Sequence, residues 1–106
     1  MINYTTPTLT LTVENIDLTG QDIYVTIEQG SHELTKSGAD LTVAYAEPDT
    51  AIEFKLTQEE SASFAYNRPA QVQVNWISQN GVRGATNISQ VSVLKNLLDE
   101  VIEYGN

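Results

Sequence analysis

The sequence of 106 residues has no cysteine and only one histidine. Without cysteine, a disulfide scaffold, a cysteine-ligated zinc site and thiol catalysis are all excluded. The lone histidine, His32, lies between polar neighbours, which predicts a surface side chain rather than a catalytic base. We therefore expect neither a metal site nor a cofactor in this protein.

Basic residues are also scarce, because five lysines and arginines stand against 14 aspartates and glutamates, for a net charge of −9. A protein that binds nucleic acid or an anionic membrane needs a basic face, so neither partner is expected. The charge is uneven: residues 1–67 carry −9 (11 acids, two lysines), residues 68–98 carry +3 (three bases) and residues 99–106 carry −3 (three acids). This pattern predicts either one acidic half of a single domain or head-to-tail self-association.

Targeting signals are not apparent in the sequence. The first residues lack the basic region and the apolar stretch of a signal peptide. No apolar run approaches the roughly 20 residues that a membrane-spanning helix needs. We therefore expect a protein that is not secreted by a signal peptide, and that stays in a cytoplasm or is packed from there into a particle.

β-Branched residues are abundant: 12 threonines, nine valines and eight isoleucines make up 29 of the 106 residues. This composition favours strands over helices. Apolar and polar residues alternate with period two in most of the chain, which is typical of half-buried strands. The predicted strands are residues 8–13, 22–28, 33–36, 41–45, 51–56, 71–76 and 82–93.

One short helix interrupts this series of strands. Thr57 and Glu60 form the pattern of a capping box, in which each side chain bonds the backbone amide of the other. The pattern predicts one or two helical turns from Gln58 to Phe64, placed as a crossover. About seven strands and one crossover helix predict a mostly-β, immunoglobulin-like antiparallel β-sandwich in residues 1–95, as a single domain.

The second half of the chain predicts a hairpin. Asn80-Gly81 suits a two-residue turn in which both residues adopt positive φ. Gly84 is predicted to form a bulge or bend in the returning strand, which we expect to kink near Ser89. Trp76 is predicted to fill the core rather than to form a platform for a ligand. The residues predicted to be buried together are Leu11, Val25, Phe54, Val74 and Trp76.

The C-terminal residues 96–106 carry Leu97, Leu98, Val101 and Ile102 at helical spacing, with acidic residues between them. This predicts an amphipathic tail that is either a short helix or a fraying end. Four apolar side chains are many for a small monomer to leave in water, so we predict that they contact another protein, together with the edge strands. The alternative is that the tail folds back as a lid over one open end of the sandwich.

Motifs of catalysis are missing from the sequence. It has no glycine-rich phosphate-binding loop and no Gly-x-Ser-x-Gly element. The adjacent carboxylates Glu59 and Glu60 would point in different directions on a helix and would not share a substrate. Asp17 and Asp22 flank a turn but lack the dense acidic spacing of a calcium loop. We therefore expect a protein that is not an enzyme and has no small-molecule substrate.

The order of several motifs resembles a known family. The Thr-rich strand 8–13 is followed by Asp17-Leu18-Thr19, the strand 23–27, residues 52–60, the strand 72–76, the Asn-Gly hairpin and a strand ending at 91–93. This order resembles small structural proteins of tailed phages and prophages of Gram-positive bacteria. It is most similar to the immunoglobulin-like N-terminal domain of baseplate upper proteins, over residues 5–97.

The resemblance implies a non-catalytic structural or assembly protein of the tail or baseplate region. Its partners would be other virion proteins or a second copy of itself, and its location the virion or the host cytoplasm. The matching positions are core and turn residues, so the resemblance assigns no site residue. Two alternatives stay open: a free-standing module that binds carbohydrate or protein, and a phage-encoded modulator of a host protein.

Overall fold

The structure, a computed structural model, describes residues 1–105, which form eight strands, one α-helix and one 3-10 turn. Every predicted strand is present, and the predicted strand 82–93 is split in two. The helix α1 spans Gln58–Ala62 and the 3-10 turn spans Gly38–Asp40. The strands are β1 (Thr8–Val13), β2 (Asp22–Gln29), β3 (His32–Ser37), β4 (Thr42–Ala46), β5 (Asp49–Lys55), β6 (Ala70–Ile77), β7 (Arg83–Ala85) and β8 (Ser89–Val91).

The strands form two antiparallel sheets. The three-stranded sheet has the order β1-β5-β4, and the five-stranded sheet has the order β3-β2-β6-β7, with β8 also paired to β6. The predicted antiparallel β-sandwich is therefore confirmed. The two orders correspond to strands B-E-D and C′-C-F-G of an immunoglobulin-like sandwich, with no counterpart of strand A among residues 1–105.

The core lies between the sheets and consists of the inward side of each alternating strand. Val25, Phe54 and Val74 are buried as predicted. Leu11 and Trp76, predicted to be buried with them, are only partly buried and pack against the core. Leu11 lies on the edge strand β1, which has a neighbouring strand on one side only. Trp76 lies near the end of β6 and pairs on one side with Gly84, which has no side chain to cover the ring. The prediction of full burial was wrong for these two residues.

The predicted capping box at α1 is confirmed. The Glu60 amide donates to Thr57 Oγ1 at 3.1 Å, and the Thr57 amide donates to Glu60 Oε1 at 2.9 Å. The helix ends at Ala62 rather than at the predicted Phe64. The Phe64 ring is fully buried in the core, which it enters from the loop that follows α1.

The hairpin between β6 and β7 differs from the predicted two-residue turn. The Ser78 amide bonds Val82 O (3.0 Å) and the Gly81 amide bonds Ser78 O (2.9 Å), which leaves a three-residue loop. Gly81 has a φ of +79°, whereas Asn80 does not adopt positive φ. This is a turn followed by one left-handed glycine, which is the other common way to close a hairpin.

The returning strand is interrupted between β7 and β8, at residues 86–88, directly before Ser89, near which the kink was predicted. At the interruption, Thr86 Oγ1 accepts from the Val74 amide at 3.1 Å, while the Thr86 amide donates to Val74 O at 2.9 Å. A threonine hydroxyl thus replaces one backbone partner in the ladder. The predicted bulge at Gly84 is absent, because Gly84 pairs directly with Trp76.

Candidate functional site

The four predicted contact residues lie on an irregular C-terminal segment. Residues 96–105 contain no helix, so the helical form of the predicted tail is wrong. Asn106, the last residue of the predicted tail, lies outside the described residues. We call the four side chains the C-terminal apolar segment; their exposed fractions are 92% for Leu97, 52% for Leu98, 45% for Val101 and 54% for Ile102.

Two side chains, those of Asn96 and Gln58, bind backbone groups of the C-terminal residues. Asn96 Oδ1 accepts from the Leu98 amide at 3.1 Å. Gln58, the first residue of α1, bonds both backbone groups of Ile102: its Nε2 donates to the carbonyl at 2.7 Å and its Oε1 accepts from the amide at 2.9 Å. Because Gln58 occupies both backbone groups of Ile102, the bonds that a helix would give those groups are replaced, and the apolar residues at helical spacing do not form a helix.

The other end of the segment is fixed to the N-terminus of the chain. Ile2 and Leu94 form a parallel bridge, in which the Leu94 amide donates to Met1 O (2.7 Å) and the Asn3 amide to Leu94 O (3.0 Å). The side chain of Asn3 is buried, and its Oδ1 accepts from the Asn96 amide at 3.0 Å. The C-terminal apolar segment is therefore held at both ends, on Asn3 and on Gln58.

Further apolar surface lies next to the first of these anchors. Ile2 and Leu94 face each other across the bridge with exposed fractions of 45% and 54%. The segment also borders an open groove of about 460 Å³, lined by Tyr4, by the loop after α1 and by Lys95 and Asp99. In that groove, Lys95 Nζ lies 5.5 Å from the centre of the Tyr66 ring. The lining of the groove combines polar and apolar side chains.

His32 has a structural environment rather than the open surface that the sequence predicted. Its ring is half-buried, and its centre lies 4.9 Å from the centre of the buried Phe64 ring. Its Nε2 lies 2.7 Å from Ser63 Oγ, within hydrogen-bond distance. The imidazole thus connects the start of β3 to the end of α1.

Two of the four acidic residues that the sequence singled out, Glu60 and Asp17, have structural partners. Glu60 carries the capping box and an ion pair to Lys36 Nζ at 2.8 Å. Partial burial opposes ionisation of Glu60, but the hydrogen bonds from Lys36 and Thr57 outweigh it, so the pKa of Glu60 lies below its usual range. Within residues 1–105, no three histidine, aspartate or glutamate side chains come together as a metal site.

Asp17 closes the turn before β2. Its Oδ1 accepts from the Thr19 hydroxyl at 2.6 Å and from the Thr19 amide at 3.0 Å. These two hydrogen bonds hold the pKa of Asp17 below its usual range. The predicted turn chemistry of Asp17 is therefore observed, and its carboxylate oxygen Oδ1 is engaged within its own turn.

The anchors Asn3, Gln58 and Asn96 were not anticipated from the sequence. No motif marks the role of these side chains, and the partner of each is distant: Asn3 and Asn96 are 93 residues apart, and Gln58 and Ile102 are 44 apart. The only local signal is an amide side chain at the first position of α1. Such pairs cannot be predicted from the sequence, because only the fold brings the two partners together.

No protein-family model matches the chain, and no curated protein matches its sequence. Among residues 1–105, none of the helices has the length and the apolar character to cross a membrane. The features that bear on function are therefore the sandwich, its charge, its edges and the C-terminal apolar segment.

Proposed function

We propose that this chain is a non-catalytic structural or assembly component of a phage or prophage virion, in the tail or baseplate region. It acts through contacts with other virion proteins. The observation that carries the proposal is the C-terminal apolar segment, which is bonded to the body at both ends yet leaves all four apolar side chains exposed. Apolar surface of this kind is typical of an interaction site.

The two anchors give this surface a defined shape before any partner binds. Gln58 satisfies both backbone groups of Ile102, and Asn3 satisfies the Asn96 amide. A segment that is already ordered loses little conformational entropy on association, which favours affinity. Asp99 and Glu100 lie between the apolar residues. The complementary surface is therefore apolar at its centre and basic at its rim.

The virion assignment is supported by the resemblance of residues 5–97 to the N-terminal domain of baseplate upper proteins. The sandwich agrees with the fold that this resemblance implies. Trp76 disfavours the carbohydrate-binding alternative, because its ring packs against the core and over Gly84 rather than lying flat on an outer face. A lid over the end of the sandwich is the second role for the tail, favoured by the Gln58–Ile102 hydrogen bonds.

The test uses the full chain co-expressed with each tail or baseplate protein encoded beside it. Leu97→Glu is the informative variant, because a side chain 92% exposed contributes little to the fold of the monomer. Val82→Glu is the matched control, since Val82 is also apolar and 68% exposed but lies in the β6–β7 hairpin. Size-exclusion chromatography with light scattering measures each complex.

We expect one tail or baseplate protein to form a complex that Leu97→Glu weakens by about tenfold or more and Val82→Glu does not. A chain that binds none of these proteins, or that binds them equally well with Leu97→Glu, would contradict the proposal. The lid role is tested separately by Gln58→Ala. If the tail is a lid, this variant lowers the thermal midpoint while Leu97→Glu leaves it unchanged.

A further inference from the structure

One edge of the three-stranded sheet presents unpaired backbone groups. The Leu56 amide donates to Pro7 O at 3.1 Å, which makes these two residues a hydrogen-bonded pair of the β1–β5 ladder. Such pairs recur at every second residue of an antiparallel ladder, so the odd-numbered residues of β1 bond to β5. The backbone groups of the even-numbered residues point to the open edge, and these residues are Thr8, Thr10 and Thr12.

The other sheet edges carry features that discourage pairing. β3 contains Glu33 and Lys36, and charged residues on an edge strand oppose addition of a further strand. β7 and β8 are three residues each and are interrupted. β4 is flanked by Asp40 and Glu47, so pairing with itself would bring carboxylates together. β1 contains no charged residue and is six residues long.

The sequence of β1 is self-complementary. Thr8-Leu9-Thr10-Leu11-Thr12 is the same in both directions, with Thr10 at its centre. A two-fold interface requires one surface to match itself, and an antiparallel pair of identical palindromic strands meets this requirement at every position. We propose that a second copy of this chain adds its β1 to the open edge of β1, with the two-fold axis at Thr10.

In this register, each outward-facing threonine pairs with a threonine of the other copy. Thr8 faces Thr12 and Thr10 faces its own counterpart, which forms about six backbone hydrogen bonds. Thr–Thr pairs are among the favourable cross-strand pairs of antiparallel sheets. On the inner face, Leu9 meets Leu11. Both leucines are partly exposed in the single chain, so the pairing removes apolar surface from water.

The second copy also covers an open groove. A cavity of about 220 Å³ runs beside the edge of β1, between Leu11 on one sheet and Val72 and Val74 on the other. Thr86 and Ser89 line its far side, where β7 and β8 are interrupted. Among residues 1–105, no strand pairs with β1 on this side of the sandwich, and the groove is open there. A partner strand on β1 would lie along its opening.

The net charge of −9 does not prevent this contact, because the charges lie away from it. The acid closest to the centre is Glu53, which pairs with Thr10 on the outer side of the sheet. Across the two-fold axis, the two copies of Glu53 are separated by three strand spacings, about 14 Å. This exceeds the Debye length of about 8 Å at physiological ionic strength, so their repulsion is largely screened.

This dimer deepens the proposed function and rests on it in one respect, that the domain acts through protein contacts. It uses β1, whereas the contact with virion proteins uses the C-terminal apolar segment. The two surfaces involve different residues and can be inactivated separately. A two-fold dimer would present two C-terminal apolar segments, which gives a bivalent component for assembly.

The test is sedimentation equilibrium of the full chain from micromolar to millimolar concentration. Thr10→Lys places two ammonium groups opposite each other at the two-fold axis. Thr42→Lys is the matched control, because Thr10 and Thr42 are the two partners of Glu53 in the same sheet and both are exposed. Each variant thus adds the same charge beside the same carboxylate, and only Thr10→Lys alters the proposed interface.

We expect the parent to reach twice its mass of 11.7 kDa, with a dissociation constant that Thr10→Lys raises by about tenfold or more and Thr42→Lys leaves nearly unchanged. An equimolar mixture of the Thr10→Lys and Thr10→Glu chains should dimerise again. The amides of Thr8, Thr10 and Thr12 in the parent should exchange hydrogen more slowly as concentration rises.

A parent that stays monomeric through the millimolar range would overturn the proposed dimer. So would equal weakening by Thr10→Lys and Thr42→Lys, or a dimer that is lost in Leu97→Glu and kept in Thr10→Lys. The proposed function fails on a different result, namely the absence of a complex with any neighbouring tail or baseplate protein. A monomeric Thr10→Lys chain that still binds such a protein would support both proposals.

Discussion

Gly84→Ala is the substitution for which the structure gives the clearest sign and size. Gly84 pairs directly with Trp76, and a Cβ added to it would lie 2.5 Å from Trp76 Cε2 and 2.6 Å from Cζ2 and Nε1. Gly84 does not adopt positive φ, so alanine is allowed by the backbone. The indole ring therefore has to move, or the two strands have to separate.

Two opposing contributions decide the size of the effect. Replacing glycine by alanine at a compatible position restricts the unfolded chain and stabilises by about 0.4–1 kcal/mol. Overpacking against a ring costs about 1–3 kcal/mol. Because Trp76 is only partly buried, its ring can shift outward, which keeps the cost below the upper limit. We expect a net loss of about 1–2 kcal/mol, or a thermal midpoint lower by roughly 4–16 °C.

The assay is urea unfolding followed by fluorescence, since Trp76 is the only tryptophan and its emission reports its own displacement. In a Trp76→Ala background the clash is gone, and the same Gly84→Ala change should stabilise by about 0.4–1 kcal/mol, measured by circular dichroism. The sign of the effect thus reverses between backgrounds. The same sign in both, or a Gly84→Ala chain as stable as the parent with unchanged emission, would refute the reasoning.

Three further predictions concern buried or paired polar groups. Thr50→Val keeps the shape of a fully buried side chain but removes the hydroxyl that donates to Ile16 O and accepts from the Leu18 amide, so unfolding by urea should show a loss of about 1–3 kcal/mol. Gln29→Leu leaves the loop after α1 without its three hydrogen bonds, and should raise proteolysis of that loop and lower stability by at least about 1–3 kcal/mol. The pKa of Glu60 is lowered in the folded state, so ionised Glu60 stabilises the fold at pH values above the usual glutamate pKa. This stabilisation is lost as the pH falls through the folded-state pKa. In Glu60→Gln, the thermal midpoint should therefore fall less steeply below about pH 4 than in the parent.

The sequence predicts the strands of this fold well because their signal is local. Alternation of apolar and polar residues over five or six positions marks β1, β2 and β6, and the structure keeps their inward residues inward. The capping box at Thr57 and Glu60 is equally local, because both partners lie within one helical turn. In each case the physical cause operates within the stretch of sequence that displays it.

Errors arise where a distant contact competes with the local pattern. Apolar residues at helical spacing in 96–106 predict a helix, but Gln58 bonds the Ile102 backbone from 44 residues away and the segment is irregular. The hairpin is a different case, because its error is local: Asn80-Gly81 predicts a two-residue turn, whereas Ser78 is bonded to Gly81 and Val82 and closes a three-residue loop. His32 stands among polar residues in the sequence, and its partners Ser63 and Phe64 come from another element.

The buried polar side chains bond irregular segments of the chain rather than the strands of the sandwich. Four polar residues are buried: Asn3, Gln29, Thr50 and Ser61. Each bonds the backbone of an irregular segment rather than that of another strand. Asn3 bonds residue 96 and Gln29 bonds residues 65 and 68. Thr50 bonds residues 16 and 18, and Ser61 bonds residue 5. Within residues 1–105, no buried side-chain nitrogen or oxygen is left without a partner.

These bonds hold the loops and both ends of the chain against the sandwich. A protein that must close over a substrate needs segments that open at low cost, whereas fixed loops present the same surface before and after association. Gln29 fixes the loop beside the groove at Tyr66, and Asn3 fixes the start of the C-terminal apolar segment. Buried polar groups in this chain therefore keep its outer surfaces in place, as the proposed role in a larger assembly would require.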